Sequence, residues 1–250
     1  MNTLDNKVAF VTGSSQGIGA GIAQELAKAG ATVIVNYVNG KAGALAVVAA
    51  IIAAGGKASA VQGDFSKEED IVRVYAEIKA SHSKLDVLVN NAGVYGFFPV
   101  EENTSAEFHR QFNLNVLGVL LSVREALPLF TPEGGVIINI GSIAGKMSEP
   151  LATIYAATKG AVDSITVALS KELGARKIRV NGLNPGLIET EGTIAEGIIA
   201  SAFHTQVVNT TPLGRAGAPA DIGRIAVLLA SDHAYWLNGQ LVNAAGGMTM

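Results

Sequence analysis

Short hydrophobic runs of strand length alternate with helix-length segments along almost the whole chain. The runs read as strands are Val8–Thr12, Val33–Tyr37, Ala58–Gln62, Val87–Asn90, Val136–Ile140, Ile178–Leu183 and Gln240–Asn243. Between them, segments such as Gly17–Ala29, Ala42–Ala54, Glu68–Ala80, Ser105–Phe130 and Tyr155–Leu173 are long enough for a helix plus its loops. The strand runs are continuous (Val33-Ile34-Val35, Val136-Ile137-Ile138) rather than alternating, the pattern of strands covered on both faces. This alternation predicts an α/β fold, a doubly wound parallel sheet of about seven strands with helices on both faces. In such sheets chemistry gathers at the carboxyl ends of the strands. Four polar or glycine-rich loops fall there: Thr12-Gly13, Asn90-Asn91-Ala92-Gly93, Gly141-Ser142 and Asn184-Pro185-Gly186.

With 250 residues and no internal repeat, residues 1–250 read as a single domain. Apolar residues make up 49% and charged residues 16%, which excludes a disordered chain. A net charge of −3 without a local Lys/Arg cluster argues against nucleic acid as a partner. The absence of cysteine excludes disulfides, thiolate catalysis and cysteine-ligated zinc, and fits a cytoplasmic protein. His82, His109, His204 and His233 are scattered, so no metal site is expected. The run from Ala42 to Gly56 carries no charge but is shorter than the ~20 residues a membrane span needs. It reads as a buried or alanine-faced helix, and no membrane contact is expected.

The first strand runs into Thr12-Gly13-Ser14-Ser15-Gln16-Gly17-Ile18-Gly19, which opens a helix. Gly13 permits a tight turn, and Gly17 lets backbone approach a diphosphate without a Cβ in the way. Gly19 allows the helix to pack close to the strand, and the helix N-terminus offers free N–H groups to an anion. A purely structural turn is the other reading of these glycines. Further on, Tyr155 and Lys159 lie four apart and so share one face of a helix. An ammonium near a phenol favours the phenolate and is expected to pull its pKa down, which makes Tyr155 a candidate general acid or base. Ser142, at a strand end thirteen residues earlier, can donate to an oxygen on which negative charge develops, or simply cap the next turn. Asn115 sits in an apolar helix segment, where a buried amide is as readily structural as catalytic.

Together these motifs resemble the classical short-chain dehydrogenase/reductases. Thr12-Gly13-x-x-x-Gly17-x-Gly19, Asn90-Asn91-Ala92-Gly93, the set Asn115, Ser142, Tyr155, Lys159, and Pro185-Gly186 stand in the family's order and spacing over essentially the whole chain. The resemblance implies a Rossmann-type fold and hydride transfer between a nicotinamide cofactor and a small-molecule carbonyl or alcohol. It assigns Tyr155 as acid/base, Lys159 also to the nicotinamide ribose, and Asn115 to a water that relays protons. Cofactor contacts are implied at Gly13, Ser15, Gln16, Gly17, Ile18, Gly19, Asn36, Tyr37, Asn39, Asp64, Phe65, Asn91, Ala92, Gly93, Pro185, Gly186, Ile188 and Thr190, with Asp64 on adenine. A homotetramer is implied too, supported by the small residues Ala156, Ala157, Gly160 and Ala161 on a long helix.

The acid that would hold the ribose hydroxyls of NAD is missing: Asn36 stands at the end of strand two, and no Asp or Glu occurs between Glu25 and Asp64. NADP(H) is therefore favoured over NAD(H), which stays open, with Asn36, Asn39 and Lys41 as available donors. The aromatic run Tyr95-Gly96-Phe97-Phe98 suggests an apolar substrate. A 3-oxoacyl carrier-protein reductase is the enzyme alternative, although residues 94–103 offer no base to meet an acidic carrier. A cofactor-sensing protein without turnover is the alternative from another class, and it has no need of Ser142, Tyr155 and Lys159 together.

Overall fold

In a computed structural model, which describes residues 3–248, all seven strands pair in parallel in one sheet. They are β1 (Val8–Val11), β2 (Thr32–Tyr37), β3 (Lys57–Gln62), β4 (Val87–Asn90), β5 (Gly135–Ile140), β6 (Ile178–Pro185) and β7 (Leu241–Ala244). Their order is β3-β2-β1-β4-β5-β6-β7, so the direction of winding reverses between β1 and β4. A crevice opens at that point above the carboxyl ends. The ends of the strands differ from the sequence reading by a residue or two, most at β6. It runs on through Asn184 and Pro185 because these still pair with Asn243 and Ala244 of β7.

Alternate residues of each central strand feed different faces. Ala9 and Val11 of β1 enter one core with Ile22 and Leu26 of α1 (Gly17–Lys28), and Phe10 enters the other. There Phe10 packs on Phe65 and on Tyr75 of α3 (Glu68–Ser81), with ring centroids 5.8 and 5.6 Å away. Burying a side chain of this size stabilises the fold by roughly 1.5–3 kcal/mol. The uncharged run near residue 42 becomes α2 (Lys41–Ala53), which buries Ala44, Val47 and Ile51 and leaves Leu45 and Ile52 exposed.

One predicted helix is broken. Ser105–Phe130 divides into α4 (Ser105–Phe112), a π-helical turn (Asn113–Leu117), α5 (Gly118–Ala126) and a short 3-10 turn (Leu127–Leu129). The Gly118 N–H reaches back five residues to the Asn113 carbonyl, and this wider turn carries the buried Asn115. By length and composition Ser105–Leu129 is apolar enough to cross a membrane, yet here it packs against α3 and α6 (Thr153–Glu172). Three helices beyond the segments named from sequence complete the chain: α7 (Glu191–Ala195), α8 (Ala202–Thr210) and α9 (Pro219–Ala230), the last lying along α1.

Candidate active site

The loop after β1 is stitched to both neighbouring strands. Thr12 Oγ1 accepts from the Asn91 and Ala92 N–H groups, both at 2.9 Å, and Asn91 Nδ2 donates back to the Thr12 and Gly13 carbonyls. Gly13 and Gly17 both take the left-handed conformation, with φ of 59° and 57°. Gly19 lies so close to Asn91 and the Gly13 carbonyl that a Cβ there would collide with both. The N-terminus of α1 has no cap from its own N-cap side chain and no acidic residue in its first turn, so its N–H groups and dipole are open to an anion from elsewhere. Gln16 is exposed, and Ser15, Gly17 and Ile18 are half-buried.

Asn36 departs from its expected place against the cofactor ribose. It is 1% exposed, its Oδ1 accepts from the Gly13 N–H at 2.8 Å, and its Nδ2 donates to the Val61 and Gly63 carbonyls. The amide is fully used in bracing the glycine loop against β3. The Phe65 side chain likewise belongs to the core. Asp64 is held at the loop by Ser66, whose N–H and hydroxyl both donate to Asp64 Oδ1. Tyr37 is half-buried at the end of β2, with Asn39 exposed beyond it. The start of α2 comes close to the loop, since a Cβ on Gly40 would sit 3.2 Å from Ser15 Oγ. This helix also starts without a side-chain cap or an acidic residue, and with Lys41 in its first turn.

The four candidate catalytic side chains converge. Lys159 is buried on α6, its Nζ donates to the Ile140 carbonyl at 2.9 Å, and it lies 5.7 Å from the centre of the Tyr155 ring. Ser142 Oγ accepts from the Ala144 N–H, so the hydroxyl does cap the next turn, and it also hydrogen-bonds with Tyr155. Asn115 pairs through both amide atoms with the Val94 backbone and through Nδ2 with Thr158 Oγ1. Gly93 keeps a gap open there: a Cβ on it would lie 3.3 Å from Asn115 Oδ1 and 3.7 Å from Lys159 Nζ.

The expected lowering of the Tyr155 pKa is not what these surroundings produce. Burial pushes the phenol up, and only hydrogen bonding with Ser142 opposes it. Burial also acts on Lys159 and pulls its pKa down to about 8, with Asp163 acting against that fall.

Beside Tyr155 lies a cavity of about 470 Å³, lined by Tyr155, Ser142 and apolar side chains including Phe97, Met147, Leu151 and Phe203. Among its described lining residues Glu149 is the only one with a charge. Tyr95 and Phe97 meet the Tyr155 ring edge-on at 6.0 and 6.1 Å. Pro185 ends β6 beneath this wall, Gly186 donates its N–H to the Ala244 carbonyl, and Ile188 is buried. Thr190 caps α7 through a reciprocal bond with Thr193.

A family profile described as enoyl-(acyl carrier protein) reductase matches residues 13–249. An uncharacterized oxidoreductase of Methylorubrum extorquens is 49% identical over 99% of this chain and 100% of its own length. Elsinochrome reductase 1 of Elsinoe fawcettii is 37% identical over 99% of this chain and 96% of its own. The solved angucycline C-6 ketoreductase LanV with bound NADP superposes with a TM-score of 0.91 at 33% identity, covering 98% of this chain and 96% of that one. The chain belongs to the short-chain dehydrogenase/reductase family.

As an oxidoreductase of this family it fits a nicotinamide dinucleotide: the cradle a Cβ would fill and an α1 terminus without an acid in its own first turn are both built. Two contacts of this short-chain dehydrogenase/reductase escaped the sequence reading. Glu191 Oε2 accepts from the Gly17 N–H at 3.0 Å, and Glu196 Oε2 accepts from the Tyr95 hydroxyl at 2.7 Å. Their partners are 174 and 101 residues away, and no local signal announces either.

Proposed function

We propose that this protein is an NADP(H)-dependent carbonyl reductase, running in reverse as an alcohol dehydrogenase, on neutral apolar small molecules, with residues 1–250 as one cofactor-binding and catalytic unit. The observation that carries the reading is the placing of Tyr155 and Ser142 in the wall of a mostly apolar cavity whose one charged lining residue among those described is Glu149. The nicotinamide supplies the hydride, which no side chain can provide. Ser142 donates a hydrogen bond to the carbonyl oxygen as negative charge grows there. Tyr155, kept neutral by burial, delivers its proton to the same oxygen. Lys159 holds positive charge beside the phenolate left behind, and Asn115 and Lys159 flank Gly93 on the path by which solvent restores that proton. Gly13, Ser15, Gln16, Gly17, Ile18 and Gly19 hold the diphosphate side. Asp64, Asn91, Ala92, Gly93, Pro185, Gly186, Ile188 and Thr190 border the rest of the dinucleotide. A spectrophotometric screen of neutral aromatic and aliphatic ketones, sugars and acyl thioesters with NADPH and NADH tests the reading. Turnover of neutral ketones supports it, and exclusive turnover of charged substrates defeats it.

The preference for NADPH rests on the two helix starts that meet at Ser15, with Lys41 and Asn39 beside them and no acidic residue in the first turn of either helix. Lys41→Ala is expected to weaken NADPH binding about three- to tenfold while NADH changes little, because one exposed cation facing a phosphate is worth that much. Fluorescence titration of both cofactors checks it, and equal losses for the two remove Lys41 from the 2′-phosphate site. Asn36→Asp would report on folding instead, since its carboxylate would face the Val61 and Gly63 carbonyls.

The profile's description favours an acyl-carrier-protein substrate as the second reading. The lining of the cavity, which lacks a cation to meet an acidic carrier, weighs against it. We also propose a homotetramer: Phe108, Leu117 and Leu120 on α4–α5 are exposed apolar side chains. Light scattering at micromolar protein is expected to give four times the chain mass, and a monomer mass refutes it.

A further inference from the structure

The N–H of Gly17 is the first of α1, in the middle of the phosphate cradle, and the carboxylate of Glu191 holds it at 3.0 Å. This is the place where a diphosphate meets the helix, and Glu191 is the anion that fills it. It reaches there from α7, directly after the cap Thr190, whose side chain also borders Gly17. Glu191 is exposed, so it is free to swing into solvent without breaking a core contact. The helix has no acid of its own in the first turn, so the charge that satisfies it comes from 174 residues away. The same short helix is followed by Glu196, which accepts from Tyr95 beside Tyr155. One segment thus ties the cofactor loop to the catalytic wall.

We propose that Glu191 is a built-in competitor for the cofactor's diphosphate: it occupies the Gly17 N–H in the free protein and is displaced when the dinucleotide binds. This rests on the cofactor reading above. A carboxylate and a diphosphate cannot share one N–H donor, and their like charges repel at such range. Binding therefore breaks one charge-assisted hydrogen bond and pushes a negative charge outward, which weakens affinity and speeds release of the spent cofactor. Displacement also frees the start of α7, while its far end stays tied to Tyr95.

Glu191→Gln removes the charge and keeps the size. Calorimetry with NADPH, and with ADP-ribose as a probe that lacks the nicotinamide, is expected to show about fivefold tighter binding of both to the variant, as for one repulsive pair near a partly screened surface. Hydrogen exchange supplies a readout independent of turnover. In the wild type NADPH is expected to speed exchange across residues 191–195, whereas in Glu191→Gln it is already fast without cofactor. Unchanged or weaker binding by the variant overturns the proposal, as does a wild-type 191–195 segment that NADPH protects. If neither protein binds NADPH or NADH, the cofactor reading itself fails and takes this one with it. If wild type binds and the variant binds no better, only the role of Glu191 falls.

Discussion

Tyr155→Phe is expected to lower ketone reduction by a factor of about 10²–10⁴, the usual cost of losing a general acid, and to leave NADPH binding unchanged. The substitution removes one hydroxyl and keeps the ring, so the edge-on packing against Tyr95 and Phe97 survives. The backbone carbonyl of Tyr155, which accepts from Thr158 Oγ1, is untouched. Ser142 keeps its bond from the Ala144 N–H. Lys159 keeps its anchor on the Ile140 carbonyl. The only thing lost is the proton donor in the cavity wall. Steady-state NADPH consumption measures the rate, and quenching of bound NADPH fluorescence measures the affinity. Near-normal turnover by the variant would mean that water or another side chain delivers the proton, and the assignment of Tyr155 would be wrong.

The parallel sheet was legible in the sequence because strands covered on both faces must be apolar throughout, and Val33–Tyr37 or Val136–Ile140 can hardly be read otherwise. Strand ends were less so: Asn184 and Pro185 look like loop residues, and only pairing with β7 makes them strand. The break after Phe112 left no mark, because a π-helical turn adds one residue to a run whose apolar spacing already tolerates it. Motif order marked out the glycine loop and the candidate catalytic side chains, which the fold brings close together. What it could not reveal was direction. Asn36 was read for its missing charge, yet its amide faces inward, where two carbonyls require a donor and the Gly13 N–H an acceptor. The Tyr155–Lys159 pair was read as phenol lowered by ammonium. Burial, which sequence spacing does not report, acts on both groups and drives the phenol up and the amine down. Glu191 and Glu196 remained hidden because their contacts depend on partners brought together by the finished fold.

On the proposed mechanism, the depressed Lys159 is expected to set an alkaline limit for reduction. Its pKa is pulled down to about 8 by burial, so it is charged below that pH and loses its proton above it. Since the phenolate formed at Tyr155 depends on that nearby charge, reduction is expected to fall as pH rises through about 8, with the limb seen in kcat/KM. Tyr155 itself sits above the ordinary phenol value and does not set this limb. Asp163 gives the sign test. It lies one turn further along α6, is held by Asn184 Nδ2 at 3.1 Å, and favours the charged lysine. Asp163→Asn removes that support, so the alkaline limb should move to lower pH while the acid side stays in place. Lys159→Met should abolish the limb near 8 altogether, reduce the rate at neutral pH by about 10²-fold or more, and, if Lys159 holds the ribose as the family resemblance implies, weaken NADPH binding. Measuring kcat/KM from pH 6 to pH 10 for the three proteins separates these outcomes. A limb that stays at the same pH in Lys159→Met belongs to another group, and the lysine then has no part in setting the charge at Tyr155.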